Sequence, residues 1–350
     1  MPLFILLALS WVYMAYGHMP LVEGIFHGIK PSVTAIVVSA ALRIGTRALK
    51  NAWLWGIAVA AFLGIYALAL PFPLIVVLAG VVGYAGGQFR PAAFAVGAGH
   101  AKAGGGAGAA LIDDTTPTPP HAQFTWPRFA RVLAVCLGLW LLAIGGLALA
   151  FGSQGVYTQM AWFFTKAALL TFGGAYAVLP YVYQGAVEHF HWLTAPQMID
   201  GLAMGETTPG PLIMVVAFVG FVGGWTQAVM GPQALALSGA IAVAVVTFFT
   251  FLPSFLFIFL GGPFIESTHG NLRFTAPLSG ITAAVVGVIV NLAVFFAVHV
   301  LWPDGLGGRF DLASAVIGLA AAVALIRYKA GVIPVVLASG LAGLALRLLT

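Results

Sequence analysis

Residues 163–225 hold the side chains best suited to chemistry, in the run FFTKAALLTFGGAYAVLPYVYQGAVEHFHWLTAPQMIDGLAMGETTPGPLIMVVAFVGFVGGW. Lys166 lies within an apolar stretch, where an ammonium costs at least about 2.5–3.5 kcal/mol at the centre of a membrane helix. Phe172, Gly173, Gly174 and Pro180 interrupt the same stretch and predict a helix broken at mid-depth. Glu206, Thr207, Thr208, Pro209, Gly210 and Pro211 then open the next span with an acid, two hydroxyls and a rigid turn. Broken helices at membrane depth survive only where they face protein or a wet cavity. The N–H groups freed at a half-helix N-terminus carry partial positive charge and make an anion site. In many transporters such breaks hold the substrate near the midplane, between two related repeats. Lys166 is the leading cation to complete an oxyanion pocket, with Arg43 and Arg47 as lesser candidates. Glu206 is a poor ligand for an anion, but it can exchange protons or act as a displaceable counter-ion.

Plainer roles compete with each assignment. Glycine pairs in membrane helices serve close packing, a lysine can snorkel to the interface, and an acid can cap a helix. Arg43, Arg47 and Lys50 fit cytoplasmic anchors better than ligands. Glu188, His189 and His191 fit an interfacial loop with Phe190 and Trp192 better than a metal site, because no second cluster of ligands exists. No metal or other cofactor is expected. No Ser-His-Asp set or paired carboxylates in the spans point to an enzyme.

The elements that must position these groups follow from composition. Of 350 residues, 61% are hydrophobic and only 7% charged, with a mean hydropathy of +1.06. Soluble domains carry about 25% charged residues, so this chain could not cover a folded surface with charge, and the lipid bilayer must be its first partner. A soluble enzyme, a nucleic-acid-binding module and a disordered regulator are excluded. The net charge of +5 makes no basic patch, because its 14 Lys and Arg residues are scattered among apolar runs. The lone cysteine, Cys136, forms no disulfide framework. Long continuous apolar runs favour helices over barrel strands. At about 20 residues per crossing, they predict an all-α polytopic membrane protein of about ten transmembrane helices. The first run lacks a basic n-region and a cleavage site, so it is not read as a signal peptide.

Residues 91–128 are Gly/Ala-rich and then Pro/Thr-rich, and read as a flexible linker between a front part, 1–90, and a back part, 129–350. Arg43, Arg47 and Lys50 fall on the same side as the linker, and the positive-inside rule puts both in the cytoplasm. Self-similarity across the linker suggests duplication. MPLVEGIFHGIKPSVTAIVVSAALRIG from Met19 matches PFIESTHGNLRFTAPLSGITAAVVGVIVNL from Pro263, and each is followed by a helix pair. The match pairs Glu23 with Glu266, His27-Gly28 with His269-Gly270, Lys30 with Arg273, and Pro31 with Pro277, each proline being read as opening a span. The copies are unequal, since the front one has no counterpart to 157–255. The architecture expected is therefore two homologous repeats with the first incomplete.

TFGGAYAVLPYV followed by WLTAPQMIDGLAMGETTPGPLIMVVAFVGF resembles the signature region of the chromate ion transporter family, and YMAYGHMPLVEGIFHGIKPSVTAIVVSAALRIG resembles the later part of that family's first domain. The resemblance spans nearly all of the chain except the linker. It implies a multi-pass transporter of the cell inner (plasma) membrane that exports chromate, a sulfate-like oxyanion, with protons as the coupling ion. It places Phe172, Gly173, Gly174 and Pro180 in the first motif of the second domain, and Glu206, Thr207, Thr208, Pro209, Gly210 and Pro211 in the second motif. No such motifs precede Met19. The alternative is therefore an N-terminally truncated, transport-incompetent fragment. A homodimer is left open.

Overall fold

A computed structural model describes residues 2–17, 19–94, 125–171, 174–267 and 272–349, and every regular element among them is a helix. The front part holds α1 (Pro2–Tyr16), α2 (Pro20–Ala48), α3 (Ala52–Tyr66) and α4 (Phe72–Phe89), and the single turn α5 (Pro91–Phe94) follows within the segment read as a linker. The back part holds α6 (Trp126–Phe151), α7 (Val156–Leu169), α8 (Ala175–Tyr183), α9 (Ala195–Thr207), α10 (Val215–Thr226), α11 (Leu235–Ser267), α12 (Leu272–Leu301), α13 (Leu312–Ile326) and α14 (Val332–Leu349). A π-helical segment, Gln184–His189, continues α8, and a 3₁₀ turn, Leu212–Met214, leads into α10. Among the described residues six helices are long and apolar enough to cross a bilayer, and four shorter apolar helices accompany them, so the chain is an all-α polytopic membrane protein.

Long α2 and α12 pack against each other at the centre, and each is clasped by the other part's hairpin: α2 by α13 and α14, α12 by α3 and α4. Small residues allow the clasp. A Cβ on Gly28 would lie 2.1 Å from the Ser339 carbonyl oxygen and 2.7 Å from the Gly343 nitrogen. On the opposite side, a Cβ on Gly280 would lie 2.4 Å from the Ala79 carbonyl oxygen and 2.9 Å from the Gly83 Cα. Backbones this close gain dispersion contacts, which must replace the hydrophobic drive that lipid tails do not supply.

The two hairpins are built alike. α3 and α13 have 15 residues each, and α4 and α14 have 18. Asn51 caps α3 by accepting from the Trp53 and Leu54 amides, and Asp311 caps α13 by accepting from the Ser314 amide. Both connections turn on a residue with positive φ, Ala69 at 49° and Lys329 at 52°. In each turn the next amide returns to the preceding helix, Leu70 N–H to Gly64 O and Ala330 N–H to Ala324 O.

One expectation needs correction. Pro31 and Pro277 do not open their spans: both lie inside helices, which begin at Pro20 and Leu272. Nor do they pack as equivalents. Pro31 follows Gly28 by three residues, whereas Pro277 precedes Gly280 by three, and the glycines are what make matching contacts. The first-turn preference for proline does operate in α2, but on Pro20.

Candidate functional site

The apolar run 157–182 is broken where glycines predicted it. α7 ends at Leu169, the Thr171 hydroxyl donates back to Ala167 O, and α8 starts after Gly174, whose φ is +106° and ψ 177°. That backbone region is essentially open only to glycine. Phe172 and Gly173 lie outside the described residues. Pro180, expected to interrupt the run with the glycines, does not: it lies buried inside α8. A Cβ on Gly174 would meet nothing within 4 Å, so substitution acts through the backbone alone. Gly174→Ala should cost about 1–3 kcal/mol and lower the melting temperature in detergent. Gly146→Ala is the control: it lies inside α6, again with nothing within 4 Å, and should not lower it.

The second break follows α9. The Thr194 side chain opens that helix with a capping box completed by Gln197. Thr208 ends it in an extended conformation, Gly210 takes φ +149°, and the 3₁₀ turn begins after Pro211. Pro209, Gly210 and Pro211 are exposed. The Thr207 hydroxyl donates to Ala203 O and Met204 O, and that of Thr208 to Met204 O. In this arrangement neither hydroxyl aims its proton at the break.

The fold brings the breaks together. α8 packs against the 3₁₀ turn, and Tyr176, in the first turn of α8, donates its hydroxyl to the Glu206 carboxylate in the last turn of α9. The first amides of each new helix have no helical partner, so two ends with partial positive charge meet near one carboxylate. The Arg43 guanidinium, from α2, acts electrostatically on both Glu206 and Tyr176. Lys166 is placed differently. It is exposed on α7, on the face that also exposes Trp162 and Leu169, and no ion pair among the described residues includes it. The cation brought to the break is the one ranked second from sequence.

One and a half turns before Glu206, α9 carries a group that sequence reasoning missed. Asp200 is 2% exposed. Its Oδ2 accepts from the Tyr13 hydroxyl of α1 at 2.8 Å and lies 3.5 Å from Lys30 Nζ of α2, while Oδ1 is buried without a hydrogen-bond partner. The signal for it was available. An acid flanked by Met198, Ile199, Leu202 and Ala203 is as costly in lipid as Lys166 in its own run. Lys30 also lines a cavity of about 290 Å³ with Glu23, His27 and Arg347. Around Glu188, His189 and His191, the Phe190 and Trp192 rings stack at 4.5 Å, and no group of three metal-ligating side chains occurs among the described residues.

No solved structure matches the chain. The chain matches the chromate transporter family over residues 1–84 and 158–344. It is 32% identical to a chromate transport protein of Pseudomonas aeruginosa, over 98% of this chain and 72% of that protein. It is 26% identical to a probable chromate transport protein of Synechococcus elongatus, over 91% of this chain and 67% of that one. A chromate transport protein of Cupriavidus metallidurans is 31% identical over 49% of this chain and 37% of its own length. Ten apolar helices among the described residues, one of them opening at a break, thus coincide with matches that are transport proteins rather than enzymes, and the chain belongs to the chromate transporter family.

Proposed function

We propose that this chain carries chromate, and oxyanions of like charge and shape such as sulfate, out of the cytoplasm across the inner (plasma) membrane. The observation that carries the reading is the meeting of two helix starts beside Glu206 with Arg43 in reach. A tetrahedral dianion needs N–H donors and a cation where water is scarce, and this junction supplies both. Gly174, Pro209, Gly210 and Pro211 shape the backbone of that seat, and Thr207 and Thr208 would have to turn their hydroxyls to join it. Lys166 stands three residues before the end of α7 at Leu169 and would approach from the outer wall. Glu206, held by the Tyr176 hydroxyl within the field of Arg43, serves as the counter-ion that gives way to the dianion.

Protons are the coupling ion in this reading, and Asp200, paired with Lys30 and Tyr13, is the group that takes them. The similar construction of the α3–α4 and α13–α14 hairpins supports two homologous repeats, within the parts 1–90 and 129–350 that the segment 91–128 separates. Chromate uptake into inverted vesicles tests the seat. Arg43→Ala should reduce it ten- to a hundredfold, the worth of a charge-assisted bond of about 1.5–3 kcal/mol. Wild-type flux in that variant would sink the reading. Unchanged flux in Lys166→Ala would remove Lys166 from the seat and leave the rest standing.

A further inference from the structure

The first hairpin carries two cavities at the start of α3, and the transport reading draws on them only through Arg43, at the rim of one. One, of about 370 Å³, is lined by Arg43, Arg47 and Lys50 with Asn51, Ser279 and Thr282, over an apolar floor that includes Leu54 and Phe94. The other, of about 570 Å³, is an apolar cleft between α3 and α4. It begins at Ala52 and Trp53, passes Gly56, Ala60 and Leu78, and reaches Ala284 of α12. Trp53 and Leu78 are 55% and 49% exposed, so the cleft faces outward from the bundle. At its mouth the Arg90 guanidinium stands 5.4 Å from the Trp53 ring centroid. No ion pair among the described residues includes Arg47, Lys50 or Arg90.

Cations and hydroxyls gathered at the end of an apolar cleft on a membrane helix pair match one molecule in shape and charge. We propose that this face binds an anionic glycerophospholipid, with one acyl chain in the α3–α4 cleft and the phosphate among Arg47, Lys50 and Arg90. Each part of the ligand has a counterpart. The phosphodiester meets guanidinium and ammonium groups, and the chain meets alanine, glycine and leucine side chains. A free oxyanion would leave the apolar cleft unexplained. A zwitterionic lipid would bring a second positive charge to a site that already holds four.

Trp53 reports on the site directly. The full chain is reconstituted in vesicles of phosphatidylcholine with either phosphatidylglycerol or further phosphatidylcholine brominated near the glycerol end of one acyl chain. The part of the fluorescence that Trp53→Phe abolishes is then followed. At equal mole fraction, brominated phosphatidylglycerol should quench that signal more than brominated phosphatidylcholine. A cation beside an anionic headgroup is worth about 1 kcal/mol, or about fivefold, so Arg47→Ala/Lys50→Ala/Arg90→Ala should weaken the preference on the order of a hundredfold. Arg47→Lys/Arg90→Lys keeps the charges and should retain most of the preference, which separates lost charge from lost folding. Equal quenching by the two lipids overturns the proposal, as does a preference unchanged in the triple variant. Relief of quenching by millimolar sulfate or phosphate assigns the cavity to free anions and overturns it too. None of these three cations belongs to the proposed transport seat, so failure here leaves that reading intact.

Discussion

Lys30→Ala leaves the Asp200 carboxylate buried without its cation, and the folded, membrane-inserted fraction falls. Asp200 is 2% exposed and has one carboxylate oxygen unpartnered already. The Tyr13 hydroxyl is then its remaining hydrogen-bond donor among the described residues. Breaking a buried pair from one side costs about 3–5 kcal/mol, because the surviving charge is uncompensated, whereas removing both charges can be nearly neutral. Lys30→Met with Asp200→Asn should therefore recover most of the melting temperature that Lys30→Ala loses. If Asp200 is the group that carries the coupling proton, the recovered double variant exchanges chromate down its own gradient but no longer responds to an imposed pH gradient. A double variant that folds and still accumulates chromate against its gradient when a pH difference is applied would remove Asp200 from coupling. It would leave the pair as a purely structural tie between α9, α1 and α2.

Gly287→Ala should damage the protein nearly as much, by a different route. A Cβ at this position in α12 would stand 1.9 Å from the Ala58 carbonyl oxygen and 2.8 Å from its carbonyl carbon, both backbone atoms of α3. No rotamer change can relieve a clash with backbone. The helices must separate, at about 1–3 kcal/mol or more for overpacking, and the separation loosens the clasp on the central pair. Thermal denaturation in detergent reads this loss. Gly138→Ala in α6, where a Cβ meets nothing within 4 Å, should sit close to wild type. Equal melting temperatures for the two variants would mean that α3 does not approach α12 so closely.

Much of this was legible in the sequence, and the parts that were not share a cause. Apolar runs and low charge declared the membrane. The glycines and prolines at 174 and 209–211 declared the breaks, because backbone conformation is a local property of residue type. Which cation meets Glu206 is not local. Lys166 and Arg43 are both exposed basic residues in apolar helices, and only the packing of α2 against α9 brings Arg43 within electrostatic range of Glu206. Asp200 and Tyr13 are 187 residues apart, and no spacing rule connects an acid in α9 to a phenol in α1. The prolines misled for a related reason. Pro31 has the chemistry of a helix start, yet the chain had already begun its helix at Pro20, and packing around Gly28 carries it through.

The short hairpin helices have a consequence for the lipid around them. At 15 residues each, α3 and α13 measure about 22 Å at 1.5 Å per residue, well below the roughly 30 Å of a bilayer's oily interior. Mismatch of this kind is met by thinning of the surrounding leaflets. The membrane should therefore dimple beside both hairpins, next to α12 on one flank and α2 on the other. A doubly charged passenger held at the seat beside α2 would meet a narrower insulating layer than the rest of the membrane presents. Acyl chains long enough to resist the dimple should slow its passage.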